Sequence, residues 1–427
     1  MNDPQQPDLV QRERLLRIVA RVQAAVDAAN LLKPHLAPLD RARSYLVLGA
    51  GKASAAMARA VAEALPGARG LVVAQKGAPG VSPAGDPIGI LEAAHPVPDQ
   101  SSVLAAEQIL GRCRAAAPDD EILFLLSGGA SSLMALPAPG LCLADKQAAT
   151  RALLARGAPI EDINTVRKHL SAVKGGRLSA ATRAPMRTFA LSDVPGDDPA
   201  SIGSGPTVPD PTTQEQARDI LRRWRINPSA KVAAALADFR NETPKSHREG
   251  RRRDFTLIGG PSTAVAAACA AAAAEGYEPI ALGVVAGVAR RVAAEHARLA
   301  LQVATRGRPV ALVSGGELSV TLDGASGAGG RCREYLLALA VAAGACGVCA
   351  AAWDSDGVDG QGTDAGALLF ADSVARAALL GVDACGWLDA HRSGEFFTLL
   401  GDAIAIGAQP TNVGDVRVIL VGAPPPS

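Results

Sequence analysis

The 427-residue sequence predicts an α/β protein of two domains, each a largely parallel sheet flanked by helices. Three observations predict it. Short apolar runs recur without alternation, the mark of strands buried on both faces. Each run passes into a Gly/Ser/Asp-rich loop and then an Ala-rich helical stretch. Aromatic residues are only 3%, so Ala, Leu and Val must build the cores, which suits helices packed closely on a sheet.

The elements follow in order. Tyr-Leu-Val-Leu at 45–48 leads into Gly-Ala-Gly-Lys-Ala-Ser at 49–54, and residues 122–126 lead into Ser-Gly-Gly-Ala-Ser-Ser at 127–132. Residues 187–191 lead into Ser-Asp-Val-Pro-Gly-Asp-Asp at 192–198, and 255–258 into Gly-Gly-Pro-Ser-Thr at 259–263. Residues 310–313 lead into Ser-Gly-Gly-Glu at 314–317, and 348–353 into Asp-Ser-Asp-Gly at 354–357. Ligands of such sheets sit beyond the carboxyl ends of the strands, where these loops fall. The polar, aperiodic stretch 241–253 reads as a linker, which places one domain at 9–245 and the other at 250–425.

Charge and composition exclude several function classes. Lys plus Arg number 43 against 42 acidic residues, so the basic excess of a nucleic-acid or membrane-surface protein is missing. The apolar runs 256–274 and 335–353 reach spanning length. Gly259-Gly260-Pro261 breaks the first, and Gly344 divides the second into a helix and a strand. The seven cysteines, among them Cys346-x-x-Cys349 in an apolar run, form no disulfide framework and fit a reducing cytoplasm. The polar, proline-punctuated N-terminus is not a signal peptide.

Lysine usage is the sharpest clue to a site. Only eight of the 43 basic residues are lysines, all at or before Lys245. Lys52 stands where a strand turns into a helix, next to backbone N–H groups that can face an anion. The loop is no Walker A, since Leu46 and Ala53 stand where that motif needs Gly and Ser/Thr. A dinucleotide fingerprint also fails, with Ser54 in place of its third glycine. Ser127, Gly128, Gly129, Ser131 and Ser132 offer amides and hydroxyls that can cradle phosphate; a nucleophilic serine is the weaker reading, lacking a Gly-x-Ser-x-Gly elbow.

Between residues 164 and 177, Asn164, Lys168 and Ser171 are spaced to share one helical face, and Arg167 and Lys174 another. Those faces are either solvated or bind an anion before Gly175-Gly176. Asp193, Asp197 and Asp198, and then Asp354, Asp356, Asp359 and Asp364, cluster in loops. They suit either turn formation or Mg²⁺ shared with a nucleotide. Glu317 points at the same strand ends, and Arg331 opens a helix behind a Gly-rich lead. Arg331 either clamps an anion or packs a helix end. The histidines show no metal spacing.

Taken in order, these blocks, together with His-Pro-Val-Pro-Asp at 95–99, Ser-Gly-Pro-Thr at 204–207 and Thr-Asn-Val-Gly-Asp at 411–415, resemble the glycerate 2-kinase family over nearly the whole chain. These are the class II glycerate kinases, whose C-terminal part is the MOFRL region, here about 305–422. The resemblance implies a Rossmann-like N-terminal domain, a MOFRL-type C-terminal domain and a site in the interdomain cleft. It implies phosphorylation of D-glycerate at its 2-hydroxyl by ATP with Mg²⁺, giving 2-phosphoglycerate and ADP, and leaves a homo-oligomer open. By that resemblance Lys52 and Arg331 are catalytic, with Asp193 orienting the hydroxyl or holding Mg²⁺ beside Asp356. Ser127, Gly128, Gly129, Ser131, Ser132, Lys168, Lys174 and Glu317 hold the nucleotide. The chain departs from the family pattern at Cys332, Arg333 and Gln409, which bears on the substrate. The alternatives are an NAD(P)H-dependent hydroxypyruvate reductase and a non-catalytic nucleotide-binding homologue.

Overall fold

The structure, a computed structural model, describes residues 9–78, 87–247, 250, 252–322, 324, 327–344 and 347–424. Cys346 of the C-x-x-C, Ala325 and Ser326 of the Gly-rich lead, and Arg248, Glu249 and Arg251 of the expected linker lie outside the described residues. The chain divides into two units. One is Ala28–Ser192 with Asp197–Ile258; the other is Met1–Asp27, Asp193–Gly196 and Gly259–Ser427.

The first unit is built on β1 (Leu46–Ala50), β2 (Arg69–Gln75), β3 (Ile88–Ala93), β4 (Ile122–Leu126), β5 (Met186–Leu191) and β6 (Arg253–Gly259). Their order is β3-β2-β1-β4-β5-β6, a doubly wound sheet, and β1 to β5 run parallel. All of β4 is buried, as the unbroken Ile-Leu-Phe-Leu-Leu demands. The helix Ser54–Ala64 packs on β1 to β4 through its small residues, Ala55, Ala56, Ala58 and Ala60 being buried. The strand order reverses between β1 and β4, so the loops after these two parallel strands meet at the crevice where doubly wound sheets bind ligands.

The expected linker and the units do not coincide. Where it is described, the stretch is pinned to the first unit. Thr243 Oγ1 donates to Asp210 at 3.1 Å and Asn241 Nδ2 to the Ala235 carbonyl at 3.2 Å. Arg253, at the start of β6, gives its guanidinium to the carbonyls of Ala184, Ser179 and Thr182.

The second unit holds β7 (Glu278–Val284), β8 (Gly287–Val288), β9 (Val310–Gly316), β10 (Leu318–Ser319), β11 (Cys349–Asp354), β12 (Gly366–Leu369), β13 (Ala403–Ile404) and β14 (Asp415–Val421). Its main sheet, β13-β12-β11-β14-β9-β7, is mixed, unlike the parallel sheet expected. β14 runs antiparallel to both β11 and β9, β12 is antiparallel to β11, and β7 is parallel to β9. A strand covered on both faces reads as one apolar run in either direction, so the run alone cannot reveal the sense. The first helix, Leu9–Ala25, belongs to this unit: its buried stripe Leu15, Ile18, Val19 and Val22 packs on the helix Pro261–Ala274, while Arg17 and Arg21 pair with Glu275. Among the described residues, no helix is long and apolar enough to cross a membrane.

Candidate active site

In the first unit the site starts from two glycines. Gly51 takes φ +141°, and a Cβ there would lie 2.0 Å from Ser127 Oγ; no side chain fits between the two loops. The loops are laced together by Lys52 N–H donating to the Gly128 carbonyl at 2.9 Å and Ala53 N–H donating to Ser127 Oγ at 3.0 Å. Ser127 is fully buried, so its hydroxyl ties the loops and does not face a ligand as expected. Gly129, at φ +81°, lies against Lys52 and His95: a Cβ would meet Lys52 Cγ at 3.3 Å and His95 Cδ2 at 3.2 Å. Among the described residues the Gly128 and Gly129 N–H groups donate to no protein acceptor. Ser131 Oγ lies 2.7 Å from Ser204 Oγ, and Ser132 is half-buried beside it. Lys52, half-buried, thus stands next to open amides at the β1/β4 crevice, an arrangement suited to an anion.

The basic segment after this loop differs from the expected helical faces. The helix Ile160–His169 stops before Ser171 because a bridge to Pro137 captures the chain: Ala138 N–H donates to the Leu170 carbonyl and Ala172 N–H to Leu136. Lys168 is buried and bonded to Asp210 Oδ1 at 2.6 Å, which removes it from the set expected to hold phosphate. Burial works against the Asp210 charge, yet Lys168 and Thr212 hold the carboxyl below its ordinary range. Replacing Lys168 with methionine leaves Asp210 buried and unpaired, and is expected to cost about 3–5 kcal/mol. Chemical denaturation of Lys168→Met would measure that loss; an unchanged midpoint would show the pair to be energetically idle.

Lys174 Nζ donates to the Met134 carbonyl at 3.2 Å, and Lys146 Nζ to the Leu136 carbonyl at 3.4 Å. Among the described residues neither ammonium has a carboxylate at ion-pair distance. Burial, with Lys146 and Arg167 close by, lowers Lys174 well below its ordinary value; burial, Arg167 and Arg177 bring Lys146 to about 7. Below pH 7 folded and unfolded Lys146 both hold the proton, and the folded state bears the full cost of the buried charge. Between about 7 and the ordinary 10.5 the unfolded state holds more proton, so stability rises with pH. Melting temperature is therefore expected to climb from pH 6 to 9, with a smaller climb in Lys146→Met. Equal climbs in the two proteins would remove Lys146 as its source.

In the second unit Arg331 opens the helix Arg331–Ala343 and is held by three carboxylates. Nε meets both oxygens of Asp415 at 2.8 and 2.9 Å, Nη2 meets Asp354 at 2.6 Å, and Nη1 meets Glu317 at 3.1 Å. Burial opposes the guanidinium charge, but Asp415, Asp354 and Glu317 together hold it more firmly than usual. The open fork expected at Arg331 is therefore occupied. Asp415 and Asp354 are buried, whereas the Glu317 side chain is 49% exposed, so Nη1 is the arm a ligand can reach. Burial, then Asp356 and Asp415, push the Asp354 carboxyl well up. Asp193 belongs to this unit and accepts from Asn412 Nδ2 at 2.9 Å. Asp356 Oδ1 accepts the Val358 N–H at 3.0 Å. Among the described residues, no three His, Cys, Asp or Glu are grouped to hold a metal. A divalent ion here would rest on one or two carboxylates and on ligand oxygens, as Mg²⁺ commonly does.

Two family models match the chain: a domain of unknown function (DUF4147) over residues 14–237 and the MOFRL family over 310–415. A protein of Agrobacterium vitis named putative hydroxypyruvate reductase is 45% identical, over 97% of this chain and 95% of its own. The D-glycerate 2-kinase of Thermotoga maritima is 35% identical, over 95% of this chain and 97% of its own. A crystal structure of glycerate kinase from Thermotoga maritima superposes with a TM-score of 0.85 at 33% identity, covering 96% of this chain and 99% of that one. The chain belongs to the glycerate 2-kinase family.

Within that family its departures have structural explanations. The Cys332 and Arg333 N–H groups cap on Asp359 at 3.0 and 3.1 Å, and Arg333 Nη2 donates to the Asp359 carbonyl at 2.6 Å. Both residues are buried and fasten the helix start to the acidic loop. Gln409 holds its own turn, donating Nε2 to the Ile406 carbonyl at 2.7 Å, and its N–H bonds the Asp356 carbonyl at 2.7 Å. Sequence reasoning missed Asp210, Lys146 and Asp415 as site residues. Lys146 carried a signal as one of the eight lysines and Asp415 as the end of the Thr-Asn-Val-Gly-Asp block at 411–415, whereas Asp210 carried none.

Proposed function

We propose that this protein transfers the γ-phosphoryl group of ATP to the 2-hydroxyl of D-glycerate, giving 2-phosphoglycerate and ADP. The observation that carries the reading is Lys52 beside the Gly128 and Gly129 amides, which donate to no acceptor among the described residues, at the β1/β4 crevice in a chain of this family. Phosphoryl transfer asks mainly for positioning and neutralisation of charge, and a lysine with oriented amides supplies both. Lys52 neutralises the transferring group, and the Gly128 and Gly129 amides with Ser131 and Ser132 orient its oxygens. Behind that loop Lys174 donates its Nζ to the Met134 carbonyl, and burial disfavours its charged form, so it braces the chain after the loop. In the second unit Arg331 offers Nη1 to an anion while its other nitrogens keep Asp415 and Asp354 in place. Asp193 and Asp356 are the carboxylates that would hold Mg²⁺, which supplies charge neutralisation along the phosphates. An ADP-release assay with D-glycerate, followed by identification of 2- against 3-phosphoglycerate, tests the reading; no glycerate-dependent ADP would sink it.

The name of the Agrobacterium vitis relative favours a second reading, reduction of hydroxypyruvate by NAD(P)H. Against it stands Ser54, whose hydroxyl donates to the carbonyls of Gly51 and Val73 at 2.8 Å, where a dinucleotide fingerprint needs its third glycine. Hydroxypyruvate-dependent loss of NAD(P)H absorbance would establish that reading instead.

A further inference from the structure

Alternate residues of a strand share a face, so β14 turns Val421, Ile419, Arg417 and Asp415 to one side of the second sheet. On that side Val421 and Ile419 pack in the core with the helices Ala289–Ala304 and Arg331–Ala343. The row then turns polar. Arg417 stands in register with Ser314 of β9 and Ala352 of β11, and Asp415 with Gly316 and Asp354. Arg417 is only 1% exposed, a depth that arginine almost never reaches unless paired. It forms the layer between the apolar core and the carboxylates that hold Arg331.

Its guanidinium is wholly engaged there. Nε donates to Ser314 Oγ at 2.9 Å, Nη2 donates to the Gly315 carbonyl, and Nη1 lies 3.5 Å from Asp415 Oδ2. The group sits 5.8 Å from the ring of Tyr335, on the helix that Arg331 opens, and the Tyr335 hydroxyl is 2.7 Å from His296 Nδ1. Asp415 is thereby shared. It meets Arg331 Nε at 2.8 and 2.9 Å, the Leu318 N–H at 3.3 Å, and Arg417.

Glu317, the carboxylate on Arg331 Nη1, follows Ser314 by three residues and Gly315 by two. Gly316 between them takes φ +97°, a conformation open to glycine, so the turn has little stiffness of its own. The anchor at Ser314 and Gly315 decides where Glu317 stands. Arg417 thus fixes two of the three carboxylates around Arg331 while being too deep to touch a substrate. A buried ion often adds no stability over an apolar residue of like volume, so the value of this one lies in geometry.

We propose that Arg417 is a positioning residue for Arg331: it holds Asp415 and the Ser314–Gly315 turn so that Nη1 meets the carboxylate of D-glycerate. The proposal rests on the reading that the acid takes Nη1, but not on phosphoryl transfer.

Calorimetric titration of the full chain with D-glycerate tests it. Arg417→Met keeps an aliphatic side chain and removes the fork; Ser314→Ala is a milder cut at the Nε acceptor, should the first variant fail to fold. Arg417→Met is expected to weaken D-glycerate ~10-fold and Ser314→Ala ~3-fold, with ATP affinity within about twofold of the parent. Ile419→Val, one step along the same row, trims the core and should lower the melting temperature with D-glycerate affinity unaltered. A double-mutant cycle with Arg331→Lys separates positioning from structural support. If Arg417 works through Arg331 the two losses overlap, and Arg417→Met in the Arg331→Lys background weakens D-glycerate less than ~3-fold. Full losses in both backgrounds, unchanged affinity in Arg417→Met and Ser314→Ala, or equal weakening by Ile419→Val overturn the proposal. So does a parent that binds no D-glycerate. The two readings fail separately. D-glycerate binding that Arg417→Met weakens, in a protein that makes no phosphoglycerate, keeps the positioning role and removes the kinase; phosphoglycerate formed by Arg417→Met with D-glycerate affinity unmoved does the reverse.

Discussion

Lys52→Met is expected to lower kcat at least ~100-fold, the usual loss when a preorganised electrostatic group is removed from a charged transition state. The fold should survive. What ties this turn together is backbone and serine: Lys52 N–H to the Gly128 carbonyl, Ala53 N–H to Ser127 Oγ, and the Ser54 hydroxyl to Gly51 and Val73. Methionine keeps the aliphatic stem that lies against Gly129 and removes only the charge. Steady-state kinetics with D-glycerate and ATP, beside a thermal melt, separate the two effects. Near-normal turnover with an unchanged melt would take Lys52 off the catalytic list. Lost turnover with a collapsed melt would make it a structural residue.

What was legible in the sequence was local. The strands at β1, β4 and β5 fall within two residues of the apolar runs, and the loops after them stand at the expected carboxyl ends. Their chemistry depends on neighbours within a few residues, so order and composition reveal it. Lys168 shows the opposite case. Its residue type marked it as an anion ligand, but its partner Asp210 is 42 positions away and nothing in the intervening sequence announces the pairing. Arg331 is a sharper example, because its carboxylates lie 23 and 84 positions downstream, and only antiparallel pairing of β11 with β14 brings Asp354 opposite Asp415. The same hidden strand sense explains why the second sheet departs from expectation. Helix ends were also poorly legible: the lysine faces drawn through Ser171 and Lys174 assumed a helix that the Pro137 bridge ends at His169.

Arg331→Lys carries the second large expected effect, and the occupied guanidinium sharpens what it should do. Nε and Nη2 are committed to two buried carboxylates, so an ammonium of shorter reach and no planar fork cannot serve both and still present an arm to a ligand. KM for D-glycerate is expected to rise ~10-fold or more with ATP affinity little changed, equivalent to about 1.4 kcal/mol of lost substrate binding. Stability should fall as well. Outright removal in Arg331→Met leaves Asp415 with Arg417 alone at 3.5 Å and takes from Asp354 its bond to Nη2, a loss toward the lower end of about 3–5 kcal/mol, because the arginine side chain is itself 25% exposed. Glu317→Gln distinguishes binding from scaffolding. It weakens the hold on Nη1 alone, so stability should hardly move while KM for D-glycerate falls if the acid takes that place. A drop in kcat alone in Arg331→Lys would move the guanidinium from the acid to the transferring phosphoryl group. If instead Arg331→Lys melts earlier with both KM values and kcat unaltered, and Glu317→Gln changes nothing, Arg331 is the counter-charge of a buried acidic pair and takes no part in binding either substrate.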